Sequence, residues 1–148
     1  MYKKIMVAID DSEMSRCALK EATLLAHAHG ARLCVVHVAD ETLMGMHHRT
    51  FATTLNLEHA RQAIRDAGRK LLDEAQQGVV NVQSETLLLE ASTQRVSETI
   101  ADAAKTWQAD LVVAGTHGRR GLQRLILGSV AEQLVRLAPV SILLVRSH

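Results

Sequence analysis

Short apolar runs alternate with amphipathic segments along the chain, and no other feature constrains the fold as much. "KKIMVAI" (3–9) is a strand-like run cut off by Asp10-Asp11. Residues 12–29 carry Ala18, Leu19, Ala22, Leu25 and Ala26 on one helical face, with Gly30 as a stop. "RLCVVHV" (32–38) is the second strand; a helix from about 55 to 77 follows, with Leu57, Ala60, Ile64, Ala67, Leu71 and Ala75 in phase. Gly78 ends it, and "NVQSETLLL" carries the third strand. Ser92 is the expected N-cap of a helix whose apolar face is Val96, Ile100, Ala103 and Trp107. "DLVVAG" (110–115) is the fourth strand, and Val130, Leu134 and Leu137 are in phase over a helix at roughly 129–137. Pro139 breaks that helix, and "VSILLVR" (140–146) is the fifth strand. Strands apolar on both faces, alternating with helices, predict a parallel sheet with helices on each side. Right-handed crossovers make that a three-layer α/β sandwich. The 148 residues fit one domain, 1–148, with no linker or repeat. Strand order is not written in the periodicity.

Composition removes several functions. Tyr2, Phe51 and Trp107 are the only aromatic residues, too few for a base-stacking platform. A formal charge of +1 argues against a dedicated nucleic-acid or anionic-membrane surface. No run of eighteen apolar residues exists to span a membrane, and the opening apolar run is too short for a signal-peptide core. Cys17 and Cys34 stand alone in apolar segments, which reads as buried free thiols and a cytoplasmic location.

Polar chemistry gathers at two strand ends. The first strand ends in Ala8-Ile9-Asp10, and the fourth runs into "GTHGRRGLQRLILGS" (115–129). Ligands of open α/β sheets sit beyond the carboxyl ends of strands, where the strand order reverses. If these strands are neighbours, the Asp10 carboxylate faces a glycine loop, able to accept bonds from ribose hydroxyls while amides and a helix N-terminus take phosphates. Gly115 and Gly118 would permit unusual backbone angles and close approach to an anion. Gly128 and Ser129 stand at a helix start, where the serine hydroxyl can cap the helix or donate to a phosphate. The plain alternative is a connection that uses glycine to turn and serine only to cap. Neither a Walker A loop nor a G-x-G-x-x-G fingerprint is present. His47 and His48 are adjacent, with no third ligand at useful spacing, so no protein-only metal site is expected.

The pattern Gly115-x2-Gly118-x9-Gly128-Ser129, in a chain whose first strand ends in Asp10-Asp11-Ser12, resembles the universal stress protein family. More narrowly, it resembles the branch that binds ATP, since branches that do not hold ATP lack this spacing. The resemblance runs from "KKIMVAIDDSEMS" through "ADLVVAGTHGRRGLQRLILGSVAEQLVRLAPVSILLVR". It implies a five-stranded Rossmann-like sheet, of the adenine nucleotide α hydrolase type, in the order 3-2-1-4-5. Ala8, Ile9 and Asp10 would then contact adenine and ribose, and Val38 would border the adenine. Ala114 and Gly115 would line the floor; Gly118, Gly128, Ser129, Val130 and Ala131 would meet the phosphates. Magnesium or manganese would ride on the phosphates of ATP. Asp11 departs from the family, in which glycine is common at that place, and adds negative charge near the pocket. The fifth strand, 140–146, would pair with its copy in a homodimer.

Arg119, Arg120, Arg124 and His117 either reach the phosphates or point to solvent. Ser129 lies in Leu-Gly-Ser-Val rather than a G-x-S-x-G elbow. All five lysines (3, 4, 20, 70 and 105) lie outside the glycine loop. A phosphoryl-transfer site typically needs a lysine and a base for water. The expected function is therefore an ATP-binding regulatory or stress-response module, with slow hydrolysis at most and no dedicated catalytic residue. The alternative is a dimeric interaction or scaffold protein whose pocket is incidental or takes another nucleotide.

Overall fold

The computed structural model describes residues 1–42, 51–117 and 127–147. Strands and helices alternate as β1 (Lys4–Ala8), α1 (Glu13–His29), β2 (Arg32–Asp40), α2 (Phe51–Gln77), β3 (Ser84–Ala91), α3 (Val96–Trp107), β4 (Leu111–Gly115), α4 (Ser129–Leu137) and β5 (Ser141–Val145). The five strands form one parallel sheet in the order β3-β2-β1-β4-β5. This is the expected α/β architecture, with β1 at its centre.

The two-residue period of β1 explains the layers. Ile5 and Val7 pack in one cluster with Ala18, Ala22 and Ala26 of α1 and with Leu72 and Ala75 of α2. Met6, pointing the other way, packs with Ile100 and Ala104 of α3 and Leu134 of α4. A strand buried on both faces must be apolar throughout, hence the unbroken runs. Small alanines on α1 let that helix lie close to the sheet. Its start is capped by Ser12, whose Oγ accepts the Ser15 N–H at 3.2 Å, and its end by Gly30 at φ 63°.

Several local expectations need correction. Helix α3 starts at Val96 after Arg95, not at Ser92. The ladder holds β3 extended to Ala91, whose carbonyl accepts the Glu41 N–H at 2.7 Å, so Ser92 falls in the turn. The Arg95 N–H instead donates to the Glu98 carboxylate at 3.1 Å. Helix α2 begins at Phe51 rather than near 55. Ala67 is exposed, and its neighbour Gly68 is buried against the sheet. A Cβ on Gly68 would stand 2.7 Å from Leu88 Cδ1 and 2.9 Å from His37 Cδ2. A close approach of α2 to the sheet is thus made by a residue without a side chain, which a count of apolar positions passes over. On α4 the buried stripe is Ala131 and Leu134, while Val130 and Leu137 are exposed.

Candidate functional site

Beyond β1 the chain enters α1 on one face of the sheet; beyond β4 it leads to α4 on the other. Neighbouring strands whose connections diverge leave a crevice between them. Ala8 stands opposite Ala114 in the register, so Asp10 and Thr116 leave the sheet side by side. Ile9, Val38 and Ala114 are buried and give this end of the sheet an apolar floor, with Ala8 and Gly115 partly exposed beside them.

The Asp10 carboxylate is held in place. Its Oδ1 accepts the Ser12 N–H at 2.8 Å, a short turn that starts α1, and the Asp10 N–H donates to Ser15 Oγ at 2.6 Å. Across the crevice, the Thr116 N–H donates to the Val145 carbonyl at 2.8 Å. The Gly128 N–H donates to the Thr116 carbonyl, also at 2.8 Å, closing the connection from 116 to 128 at its base. Gly128 is the N-cap of α4 and has no side chain with which to cap it. Ser129 is the first helical residue and exposed, so it does not cap the helix, correcting one of its two expected roles. The first-turn amides of Ser129, Val130 and Ala131 have no partner within the helix and carry its positive end. Val130 is exposed at 37% and Ala131 is buried, so only main chain and the Ser129 hydroxyl are offered here.

Gly115 has a different reason from the expected one. Among the described glycines only Gly30 has a positive φ. A Cβ on Gly115 would stand 2.9 Å from Met14 Cβ and 3.3 Å from the Met14 carbonyl carbon. Its missing side chain lets the first turn of α1 close over β4. His117 is turned inward, since its Nδ1 lies 3.1 Å from Thr116 Oγ1 and its Nε2 is buried without a hydrogen-bond partner among the described residues. Gly118, Arg119, Arg120, Gly121, Arg124, His47 and His48 lie outside the described residues.

Other residues here escaped the sequence reading. His37, buried in β2, has Nδ1 2.8 Å from the Ile9 carbonyl. A lone polar residue inside "VVHV" was the only signal for it. Past the end of β2, Glu41 is 4% exposed and ion-paired with Arg65 of α2 at 3.1 Å and with Arg61 at 3.7 Å. Arg65 also reaches Glu90 on β3 at 3.0 Å. This cluster ties α2 to the strand ends beside the crevice. Two shallow surface grooves, of about 370 and 250 Å³, lie away from it, one under Trp107 between β3 and α3 and one along α1.

Among the described residues no three histidine, cysteine or acidic side chains converge as metal ligands. Nor is any described helix long and apolar enough to cross a membrane. Both cysteines are free thiols. Cys34 is buried as expected, whereas Cys17 is partly exposed on α1.

The model of the universal stress protein family matches residues 1–146. A universal stress protein of Bacillus subtilis, YxiE, is 30% identical over 151 residues, covering 99% of this chain and 100% of the relative. The solved structure of UspA from Lactobacillus plantarum superimposes with a TM-score of 0.84 at 26% identity, covering 98% of each chain. Two universal stress protein structures with the same fold, both 21% identical to this chain, were solved as nucleotide complexes. One, with cAMP, has a TM-score of 0.64 and covers 99% of this chain and 98% of that one. The other, from Archaeoglobus fulgidus with dAMP, has a TM-score of 0.59 and covers 97% of this chain and 98% of that one.

Proposed function

The chain belongs to the universal stress protein family, and we propose that its crevice binds an adenine nucleotide, ATP in the first place, as a regulatory rather than a catalytic ligand. The observation that carries this reading is the pairing of β1 with β4, which brings a fixed carboxylate and an uncapped helix N-terminus to the two sides of one apolar floor. Adenine would lie against Ile9, Val38 and Ala114. Asp10 would accept the ribose hydroxyls through the oxygen that Ser12 leaves open. Phosphates would meet the α4 amides, Ser129 and the Gly118 region. A divalent ion would take its ligands from the phosphates, magnesium or manganese being the hard cations suited to that role. The cAMP and dAMP complexes of structural neighbours support an adenine nucleotide without choosing among its phosphate states.

Nucleotide released on denaturing protein purified without added ligand, identified by mass spectrometry, tests the reading. Gly118→Val and Gly128→Val should each abolish binding in variants that still fold; unchanged affinity in both refutes it.

A second reading, a self-associating interaction module, is favoured by one edge of the sheet. β5 is a partly exposed edge strand, flanked by Val135 at 54% and Leu137 at 47% exposure on α4. An uncovered apolar edge invites pairing with a second copy across a twofold axis. Sedimentation should give a dimer that Leu143→Lys converts to a monomer; a monomeric parent at micromolar concentration refutes it.

A further inference from the structure

We propose that His37 is a positioning residue for the Asp10 carboxylate, acting through the Ile9–Asp10 peptide, and that Gly68 of α2 is what leaves room for it. The inference rests on the nucleotide reading of the crevice and adds a residue which that reading does not use.

β1 pairs with β2 only as far as Ala8 and Val36, with one further bond from the Ile9 N–H to the Val36 carbonyl at 2.9 Å. The next carbonyl, that of Ile9, leaves the ladder, and His37 Nδ1 meets it at 2.8 Å. A carbonyl can only accept, so Nδ1 carries the hydrogen. On the other side of the same peptide, the Asp10 N–H donates to Ser15 Oγ at 2.6 Å. The C=O and N–H of a trans peptide point in opposite directions. Two buried side chains from different elements, His37 on β2 and Ser15 on α1, therefore hold one peptide plane from both sides. That plane sets the direction in which the Asp10 side chain leaves the main chain, and Ser12 then fixes its Oδ1.

The far edge of the imidazole meets α2. A Cβ at Gly68 would lie 2.9 Å from His37 Cδ2 and 3.5 Å from Nε2. Any side chain there would push the ring towards Ile9 or away from its carbonyl. A glycine in mid-helix costs about 1 kcal/mol relative to alanine, and here that cost accompanies a ring at hydrogen-bond distance from the site.

The test compares ATP with 2′,3′-dideoxy-ATP by calorimetry in the full chain. His37→Leu removes the donor and keeps the bulk; His37→Asn keeps an N–H near the place of Nδ1. His37→Leu and Gly68→Ala should each weaken ATP about tenfold, the size of one lost hydrogen bond, and leave the dideoxy analogue within about twofold. His37→Asn should recover most of the loss. A general packing role would weaken both ligands equally, and that result, or no loss at all, overturns the proposal. Should the parent bind neither nucleotide, the nucleotide reading fails. The hold of His37 is then decided by hydrogen exchange at the Asp10 amide, where faster exchange in His37→Leu sustains it and unchanged exchange overturns it.

Discussion

Gly115→Ala isolates a steric requirement from a conformational one. The added methyl would stand 2.9 Å from Met14 Cβ, 3.3 Å from the Met14 carbonyl carbon and 3.3 Å from the His117 carbonyl oxygen. Two of these atoms are backbone, and α1 is tied down at this point by the Ser12 cap and by the bond from Ser12 N–H to Asp10. The helix start yields reluctantly, so the cost should be that of overpacking a tight core, about 1–3 kcal/mol. Gly30→Ala is the control. Nothing lies within 4 Å of its added methyl, and only φ of +63° opposes it, giving about 1–2 kcal/mol from left-handed strain alone. Urea unfolding measures both, and a double-mutant cycle separates them. Met14→Gly removes the Cβ that Gly115→Ala strikes, so the pair should be more stable than the sum of the singles by about 1 kcal/mol. The same Met14→Gly change combined with Gly30→Ala should be additive. A Gly115→Ala protein within about 0.3 kcal/mol of the parent, or strict additivity with Met14→Gly, would refute the close-approach account.

Arg65→Leu should destabilise the fold by about 3–5 kcal/mol, because it leaves the Glu41 carboxylate buried with only Arg61 near it. Adding Glu41→Leu should recover most of that loss in the same urea assay, as replacing the buried charge as well as its partner does. Cys34 should be inert to a thiol reagent in the native protein while Cys17 reacts, and both should react once unfolded. Burial first, and then the nearby Glu85 carboxylate, raises the Cys34 thiol from 9.0 to about 12 against the weaker opposing pull of Arg32 and Lys4. That cuts its thiolate population at pH 8 on the order of a thousandfold. Since the folded value lies above the unfolded one, the linked stability is complete below about pH 9 and is lost as pH rises towards 12. Cys34→Ala should remove that component of the alkaline decline.

The layers were legible because they follow from apolar runs and helical periodicity, which act at short range along the chain. That β1 is covered on both faces was legible in "IMVA", a run that can be apolar throughout only with helices on each side, whereas its place at the centre of the sheet was not, since β2 is as apolar. Boundaries were less legible where tertiary bonds outlast local preference, as at β3, where the partner strand draws Ala91 into the ladder and moves the helix start past Ser92. The α2 stripe was misread by one residue at Ala67, because Gly68 is buried by closeness to His37 and Leu88 and has no hydrophobicity to register. Val130 and Leu137 keep the helical period on α4 without being buried, since periodicity shows which residues share a face and not whether anything covers it.

The candidate site divides in the same way. Asp10 and the Gly128-Ser129 pair were readable because a carboxylate after a strand and a glycine before a helix each carry a local chemical meaning. The parts that aim them were not. Ser15, Met14 and His37 act on atoms five, one hundred and one, and twenty-eight positions away in sequence, as the Asp10, Gly115 and Ile9 contacts show. Their residue types have ordinary local explanations: a serine in a first helical turn, a methionine on a helix, a histidine in a strand. What distinguishes them is that all three bear on residues at or just beyond the ends of β1 and β4, the two strands whose helices diverge. A crevice built from main-chain donors gains selectivity only if its peptide planes are fixed, because every residue but proline carries an amide. Preorganisation should therefore rest on the residues that grip those planes, and the Ile9–Asp10 peptide is gripped on both sides. By this reasoning, variation at His37 and Ser15 should tune ribose selectivity with Asp10 itself unchanged.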